Sequence, residues 1–289
     1  MKSPLIFFTK HLGNATAEQY IDYARQFGCD GFDIACRPGQ TVTPDNVKTA
    51  LPKLVKQLSA AGLVVPMLTG EGNLLEPTNS TAEPILAAMQ ESGVKLLKIG
   101  YFQIKHRAED YWEKIAYIRT QFEGWVRLGE KYGVRICYHT HSGSHIMGIN
   151  AAAVMHFLHG FDPKWVGAYL DPAHLLLDGE HPDMAFNMVK RYLAIVGLKD
   201  ARKEPSNINY GWKYTFCRAG HGDVDWPNFL EILRLANFTG PISIHAEYER
   251  YMPSAIKGDK SVWFASLKGE FDFYRKLRDG TANIEMRVS

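Results

Sequence analysis

Short apolar runs alternate with amphipathic segments along the whole chain, and this alternation most constrains the fold. The apolar runs have the length and continuous hydrophobicity of strands that are covered on both faces. They occupy residues 4–9, 30–36, 61–68, 94–100, 134–139, 165–171, 194–200 and 241–247. The segments between and after them predict helices at residues 14–27, 44–61, 81–92, 109–132, 151–158, 182–192, 225–236 and 260–278. The chain therefore repeats one strand–helix unit eight times.

A strand–helix unit that repeats in this way requires parallel strands joined by right-handed crossovers, and eight units close a (β/α)8 barrel. We expect one α/β domain over residues 1–289, because no linker separates the units. A doubly wound open sheet is the alternative, but no GxGxxG sequence follows the first strand. Residues 201–222 are rich in polar side chains and are predicted to form a long loop.

Composition excludes several classes of protein. The formal net charge is +2 and no basic block stands out, so we expect no nucleic-acid partner. No apolar run approaches the roughly 20 residues of a membrane span, which predicts no membrane partner. Four cysteines without a CxxC spacing suggest reduced thiols and a cytoplasmic location. A small-molecule ligand and self-association into a homo-oligomer stay open.

Polar side chains end several of the predicted strands. In a barrel the carboxyl ends of the strands meet at one face, so residues far apart in sequence converge there. The groups in question are His139 and His141, Asp171 and His174, Lys199 and Asp200, and His245, Glu247 and Glu249. Imidazole and carboxylate groups of this kind suit a divalent metal. An isolated Asp171 or His139 has an ordinary structural explanation as well, as a helix cap or a buried hydrogen-bonding group.

Five motifs in this order carry a resemblance to a known family. They are YHTHSG, GAYLDPAHLLLDG, VGLKDARKE, AGHGDVDW and GPISIHAEYE. Their order resembles the xylose isomerase-like TIM barrel superfamily of sugar phosphate isomerases and epimerases, and inosose dehydratase-like members are the most similar in texture. The resemblance implies a carbohydrate substrate. It also implies a metal held by a Glu at the end of strand five, an Asp at the end of strand six, a His or Gln in strand seven and a Glu at the end of strand eight.

The implied ligand set is matched only in part. Asp171 stands where the family has its strand-six Asp, and His174 matches a histidine that commonly contacts substrate. His139 and His245 replace the two glutamates, and Gly197 replaces the strand-seven ligand. Three readings follow: a rebuilt metal site, a weaker one, or a site without metal. On the first reading, the ligands of Mn, Zn, Co, Mg or Fe are Asp171, His139, His245 and Glu247.

The remaining site residues receive roles from the chemistry that a sugar isomerase needs. Proton removal next to a carbonyl requires a base and a group that stabilises the developing oxyanion. We assign catalysis to Glu247, Lys199 and His174. We assign substrate binding to His141, Arg37, Tyr101 and Trp263. Each has an alternative role: Lys199 as the inert partner of a carboxylate, Arg37 in a loop ion pair, and the aromatic residues in core packing.

The sequence therefore predicts a carbohydrate isomerase, epimerase or dehydratase that is assisted by a divalent metal. The alternative is a barrel that binds a sugar or a partner without catalysis, because the implied ligands are incomplete. A third reading, a DNA repair enzyme similar to endonuclease IV, requires a three-metal cluster and a basic surface that the sequence does not offer.

Overall fold

Eight parallel strands close into a barrel in the computed structural model, which describes residues 2–206, 211–248 and 261–281. Within these residues the strands are β1 (Leu5–Phe8), β2 (Gly31–Ala35), β3 (Val64–Thr69), β4 (Leu96–Lys98), β5 (Arg135–His139), β6 (Val166–Leu170), β7 (Leu193–Leu198), β8 (Asp200–Ser206), β9 (Gly211–Cys217) and β10 (Ile242–Ile244). Strands β1 to β7 and β10 form the barrel, and β10 closes it by pairing with both β7 and β1. This architecture confirms the predicted (β/α)8 barrel.

Helices surround the barrel and cover its outer face. In the described parts of the chain they are α1 (Ala17–Phe27), α2 (Val47–Ala60), α3 (Ala82–Ser92), α4 (Tyr111–Tyr132), α5 (Ala151–Leu158), α6 (Pro172–Asp178), α7 (Pro182–Val189), α8 (Trp226–Leu235) and α9 (Ser261–Asp279). Their starts follow capping chemistry. Thr16 and Gln19 form a reciprocal capping box at α1, and Asp110 accepts two backbone N–H groups at the start of α4. None of these helices has the length and hydropathy of a membrane span.

The hydrophobic core has two layers. The larger layer lies between the strands and the helices and contains the three fully buried tryptophans Trp125, Trp226 and Trp263. A smaller cluster fills the inside of the barrel and is built from Ile6, Met67, Cys137, Tyr169, Ala194 and Ile195. Because this inner cluster blocks the barrel interior, polar side chains collect above it, at the carboxyl ends of the strands.

Trp263 requires a correction, because it does not lie at the mouth of the barrel. Its ring is fully buried and packs against Phe7 of β1 and Phe27 of α1, with centroid distances of 5.9 and 6.5 Å. Burial of such a large apolar ring between a strand and its covering helices stabilises the barrel wall. Trp263 is therefore a core residue rather than a substrate-binding one.

Two local elements differ from the sequence prediction. The polar segment after β7 forms an antiparallel pair, β8 with β9, in register from Asp200 opposite Cys217 to Ser206 opposite Gly211. A short additional helix, α6, begins directly after β6, where Pro172 occupies its first turn and Asp171 is its cap. Both elements lie beside the residues that the sequence predicts as functional.

Candidate active site

The predicted polar groups converge at the carboxyl ends of the barrel strands. They line a cleft together with side chains that the sequence prediction omitted. Its lining residues are Phe8, Lys10, Arg37, Thr69, Lys98, Tyr101, His139, His141, Lys199, His245 and Glu247. Most of these follow or end a strand, which is why Phe8 and Glu247, 239 positions apart, both line it. Glu249 lies outside the described residues.

Asp171 is the hydrogen-bonding centre of the site and is completely buried. Its Oδ1 accepts the backbone N–H groups of Ala173 and His174 at 3.0 and 3.4 Å, which caps α6. Its Oδ2 lies 3.2 Å from Nε2 of His139 and 3.4 Å from Nζ of Lys199, two residues that line the cleft. Each oxygen therefore has a separate task, because one fixes the helix and the other takes part in the polar cluster.

Lys199 carries a fixed positive charge at the base of the cleft. Its Nζ lies 2.9 Å from Oε2 of Glu247, in addition to its contact with Asp171. Burial by itself lowers the pKa of this amine, but the two carboxylates outweigh burial and raise the pKa above its ordinary value. Lys199 is therefore a permanent cation that is almost completely shielded from water.

Glu247 is held as an anion between two lysines. Its Oε1 lies 3.0 Å from Nζ of Lys10, opposite the contact of Oε2 with Lys199. Burial raises the pKa of this carboxyl, but Lys199, His245 and Lys10 together bring the pKa well below its usual range. A carboxylate in this state is a weak base.

His174 presents a buried N–H group toward Asp171. Its Nδ1 accepts the backbone N–H of Ser142 at 3.1 Å and lies 2.8 Å from the Ser142 hydroxyl. Burial, followed by the charge of Lys199, holds the imidazole pKa well below its ordinary value, so the ring is neutral. Since Nδ1 accepts, the single ring proton of His174 lies on Nε2. That nitrogen is buried, has no hydrogen-bond partner in the part of the chain that the structure describes, and lies 3.8 Å from Oδ2 of Asp171.

The other histidines are neutral as well. Burial lowers the pKa of His141 to about 4 and of His245 to about 3, with Lys199 as the next cause in each case. His139 is oriented from both sides, because the Tyr101 hydroxyl lies 2.7 Å from Nδ1 and Asp171 faces Nε2. The carboxylate of Asp171 can only accept, so Nε2 of neutral His139 carries the proton.

Among the described residues, one group of three could hold a metal ion here. His139, Asp171 and His174 place one ligand-type atom each within 4.8 Å of one another, and all three are buried. His245 and Glu247, which the sequence analysis expected as ligands, lie outside this group. The His245 Nε2 is engaged by the Tyr169 hydroxyl at 2.7 Å, and Glu247 is paired with lysines.

The hydrogen bonds of this group would have to rearrange before it could hold a metal ion. A ligating imidazole nitrogen must be unprotonated, whereas Nε2 carries the proton in both His139 and His174 in the arrangement described above. The ammonium of Lys199 lies against Oδ2 of Asp171, the oxygen that an ion would need. Gly197, which replaces the strand-seven ligand, brings no donor to the space beside Asp171 and His139.

Comparison with known proteins agrees with this architecture. The family model described as a xylose isomerase-like TIM barrel matches residues 21–267. Inosose dehydratase from Lacticaseibacillus casei is 27% identical over 182 residues, which cover 58% of this chain and 58% of that relative. The chain thus matches less than two thirds of that protein's length. Inosose dehydratase from Geobacillus thermodenitrificans (strain NG80-2) is 28% identical over 261 residues, 82% of this chain and 84% of the relative.

Solved structures share the fold at low sequence identity. D-psicose 3-epimerase from Clostridium cellulolyticum H10, solved with D-tagatose, has a TM-score of 0.69 and 14% identity, and covers 95% of this chain and 99% of its own. The 3-keto-D-glucoside 4-epimerase from E. coli has a TM-score of 0.66 and 15% identity, with 91% and 99% covered. The family model spans most of the chain, and the closed barrel has the corresponding topology. The chain belongs to the xylose isomerase-like TIM barrel family.

Proposed function

We propose that this protein is a carbohydrate isomerase, epimerase or dehydratase that transfers a proton next to a carbonyl group. One observation carries the proposal: a permanent buried cation, Lys199, which lines the cleft, and an N–H group of His174 that has no partner among the described residues meet at Asp171. Such a pair stabilises negative charge on an oxygen, and proton removal next to a carbonyl creates that charge. The names of the relatives, inosose dehydratases and sugar epimerases, support the same class of chemistry.

In the proposed reaction the carbonyl oxygen of the sugar lies near Lys199 and His174. As the neighbouring C–H bond breaks, the electron pair forms a C=C bond and charge moves to the oxygen, where both groups donate to it. Return of the proton to a neighbouring carbon gives isomerisation, and its return to the opposite face gives epimerisation. Loss of a β-hydroxyl group gives dehydration. His141, Arg37 and Tyr101 bind the sugar hydroxyls, because all three line the same cleft.

The experiment is exchange of the sugar's α-hydrogen with solvent deuterium, followed by NMR with an inosose and with D-tagatose. The wild-type protein exchanges the hydrogen of at least one of them, and Asp171→Ala abolishes the exchange because it removes the group that orients Lys199 and His139. Asp22→Ala is the matched control, since Asp22 lies in an exposed ion pair on α1. If Asp171→Ala exchanges the hydrogen as fast as the wild-type protein does, the proposed function is wrong.

A binding protein without turnover is the second candidate. The observation in its favour is that the buried carboxylates Asp171 and Glu247 are both already engaged by lysine. This candidate predicts that the same sugars bind, as measured by calorimetry, with no exchange at any carbon. The metal predicted from the sequence, Mn, Zn, Co, Mg or Fe, is tested separately by elemental analysis of the purified protein.

The remaining predictions are also part of the proposal. We infer that residues 1–289 act as one domain, that the substrate is a small carbohydrate and that the protein works in the cytoplasm. We further propose no nucleic-acid or membrane partner and self-association into a homo-oligomer. Light scattering at several protein concentrations tests the last of these.

A further inference from the structure

We propose that Lys98 is the base that removes and returns the substrate's proton. This inference rests on the proposed function and names the group that performs its central step. Lys98 is the last residue of β4 and lines the cleft together with Lys199, His139 and His141.

The position of Lys98 follows from the alternation of side chains along β4. Leu96 packs against the cluster inside the barrel, so Lys98, two residues later, points to the same inner side one layer higher. The side chain is only 3% exposed. It therefore places its amine within the cleft, above the apolar plug of the barrel.

The amine of Lys98 has weak partners, unlike that of Lys199. It donates one hydrogen bond to the backbone oxygen of Ile99 at 3.3 Å and lies 4.0 Å from the centre of the Tyr101 ring. Among the described residues, no carboxylate oxygen lies within 4.0 Å of its Nζ, whereas Lys199 has two such contacts. Lys98 therefore lacks the direct carboxylate contacts that hold a proton on Lys199.

The charged groups around Lys98 have opposing effects. Burial lowers the pKa of the Lys98 amine most, and the positive charges of Arg37 and Lys199 lower it further. The carboxyl groups of Asp33 and Glu247 raise it. The resulting pKa of Lys98 is about 7. A base works best when its pKa is near the pH at which it operates.

The other candidate bases are less suited to the step. Lys10 and Lys199 hold Glu247 as a weakly basic anion. Asp171 is also engaged, because one of its oxygens caps α6 and the other contacts Lys199 and His139. The pKa of His141 is about 4. Asp33 has a raised pKa of about 6, because of burial, but it is fully buried and accepts hydrogen bonds from Thr69 and Ser243.

The step balances without a further reactant. The neutral amine of Lys98 takes the hydrogen next to the carbonyl as a proton, and the C–H electron pair becomes the C=C bond of an enediolate. The negative charge on the oxygen is stabilised by Lys199 and His174. The ammonium of Lys98, whose hydrogens exchange with solvent, then returns a proton to the former carbonyl carbon. At the same time the hydroxyl proton of the neighbouring carbon passes to the former carbonyl oxygen, which leaves a new carbonyl, restores the neutral amine and completes an isomerisation.

The first test measures the amine directly, without turnover. Protein labelled with ¹³C at the lysine Cε positions is titrated from pH 5 to 11 by NMR, and the Lys98 signal is assigned by its absence in Lys98→Met. We expect a midpoint near pH 7 for this signal. A midpoint above pH 10 would mean that Lys98 stays protonated at neutral pH, which overturns the inference.

The second test uses the deuterium-exchange assay. Lys98→Arg keeps a cation that does not lose its proton, and Lys98→Met removes the charge at similar length. Both variants should lose about 10²- to 10⁴-fold in exchange rate, the usual contribution of a positioned base. The control is Lys95→Met, an exposed lysine that precedes β4. Circular dichroism and the melting temperature show that each variant is folded.

The outcomes separate this inference from the proposed function. Absence of exchange by the wild-type protein overturns the proposed function and the inference together. Exchange by the wild-type protein that Lys98→Arg retains within a factor of two overturns only the inference, because it shows that a positive charge suffices. Loss in both Lys98 variants, with Lys95→Met unchanged, supports a proton-transferring amine. In that case the acid limb of the pH–rate profile, with its midpoint near pH 7, belongs to Lys98.

Discussion

At the scale of single residues, Asp171 has the structural role and the functional position at once. The sequence offered helix capping and a place in the site as alternatives. The structure combines them, because the two carboxylate oxygens point in different directions: one to the first turn of α6 and one to His139 and Lys199. A capping carboxylate is held in one orientation by backbone N–H groups. That rigidity is also what a preorganised polar site requires.

His174 should lower the energy of the charged intermediate through its N–H group. We predict that His174→Leu reduces kcat/KM about 10²-fold, the usual effect of removing one oxyanion donor. His174→Gln should recover part of the loss, because its amide also donates an N–H. Steady-state kinetics with the substrate found by the exchange assay provide the measurement. Equal losses in both variants would contradict a donor role and leave a packing role.

The pattern of polar strand ends predicted much of the site but not all of it. His139, His141, Lys199, His245 and Glu247 were predicted and do line one cleft. Lys98 was missed although it ends a strand in the same way, since its run was interpreted as apolar. Distances between side chains, such as the pairing of Glu247 with two lysines, depend on rotamers and on strand register. A single sequence does not specify these.

At the scale of elements, the hairpin β8–β9 is the main departure from a simple barrel. Most of β9 is exposed, and the polar composition of residues 201–222 was interpreted as a loop. The alternation of Trp212, Tyr214 and Phe216 with Lys213 and Thr215 was the signal of a strand that the sequence analysis missed. The hairpin positions one ring at the site. Phe216 lies 4.9 Å from Nζ of Lys199, and its centroid lies 6.0 Å from that of His174.

Phe216 should help to exclude water from Lys199. We predict that Phe216→Ala lowers kcat/KM by about 10-fold, because a cation–π contact at a desolvated site contributes on the order of 1 to 2 kcal/mol. The matched control is Trp212→Ala on the same strand, whose ring is 62% exposed. Steady-state kinetics give kcat/KM for both variants, and their melting temperatures show that each variant is folded. A similar loss in both would assign the effect to the hairpin as a whole.

At the scale of the whole molecule, closure of the barrel followed from the eightfold repeat, because parallel strands in such number have few other arrangements. One buried acid in the barrel's last helix gives the fold a dependence on pH. Glu270 of α9 is 4% exposed and accepts the backbone N–H of Ala219, which follows β9. Burial raises its pKa to about 8, so the folded protein keeps this carboxyl neutral at pH 7.

Glu270 should therefore make the protein less stable as the pH rises. The unfolded chain ionises this group near pH 4.3, so its contribution to stability is complete below that pH and is lost progressively up to about pH 8. We predict that Glu270→Gln removes this loss. Between pH 5 and pH 8.5 its free energy of unfolding should rise by about 2 to 4 kcal/mol relative to that of the wild-type protein. Urea unfolding at both pH values measures the difference. Glu91→Gln, at an exposed site on α3, should show no such trend.

Removal of metal tests the charge arrangement of the entire barrel mouth. Lys199 already supplies the positive charge between Asp171 and Glu247, and the ring protons of His139 and His174 occupy the nitrogens that an ion would need. We predict that dialysis against a chelator leaves the melting temperature and the exchange rate unchanged. A site bound at 100 times its Kd would instead contribute about 2.7 kcal/mol of stability, which chelation would remove. Stoichiometric metal in elemental analysis, together with such a loss, would show that the histidine tautomers change on binding and that Lys199 moves away from Asp171.

In Lys199→Gln the cation is gone, so added Mn or Zn should raise the melting temperature of this variant more than that of the wild-type protein.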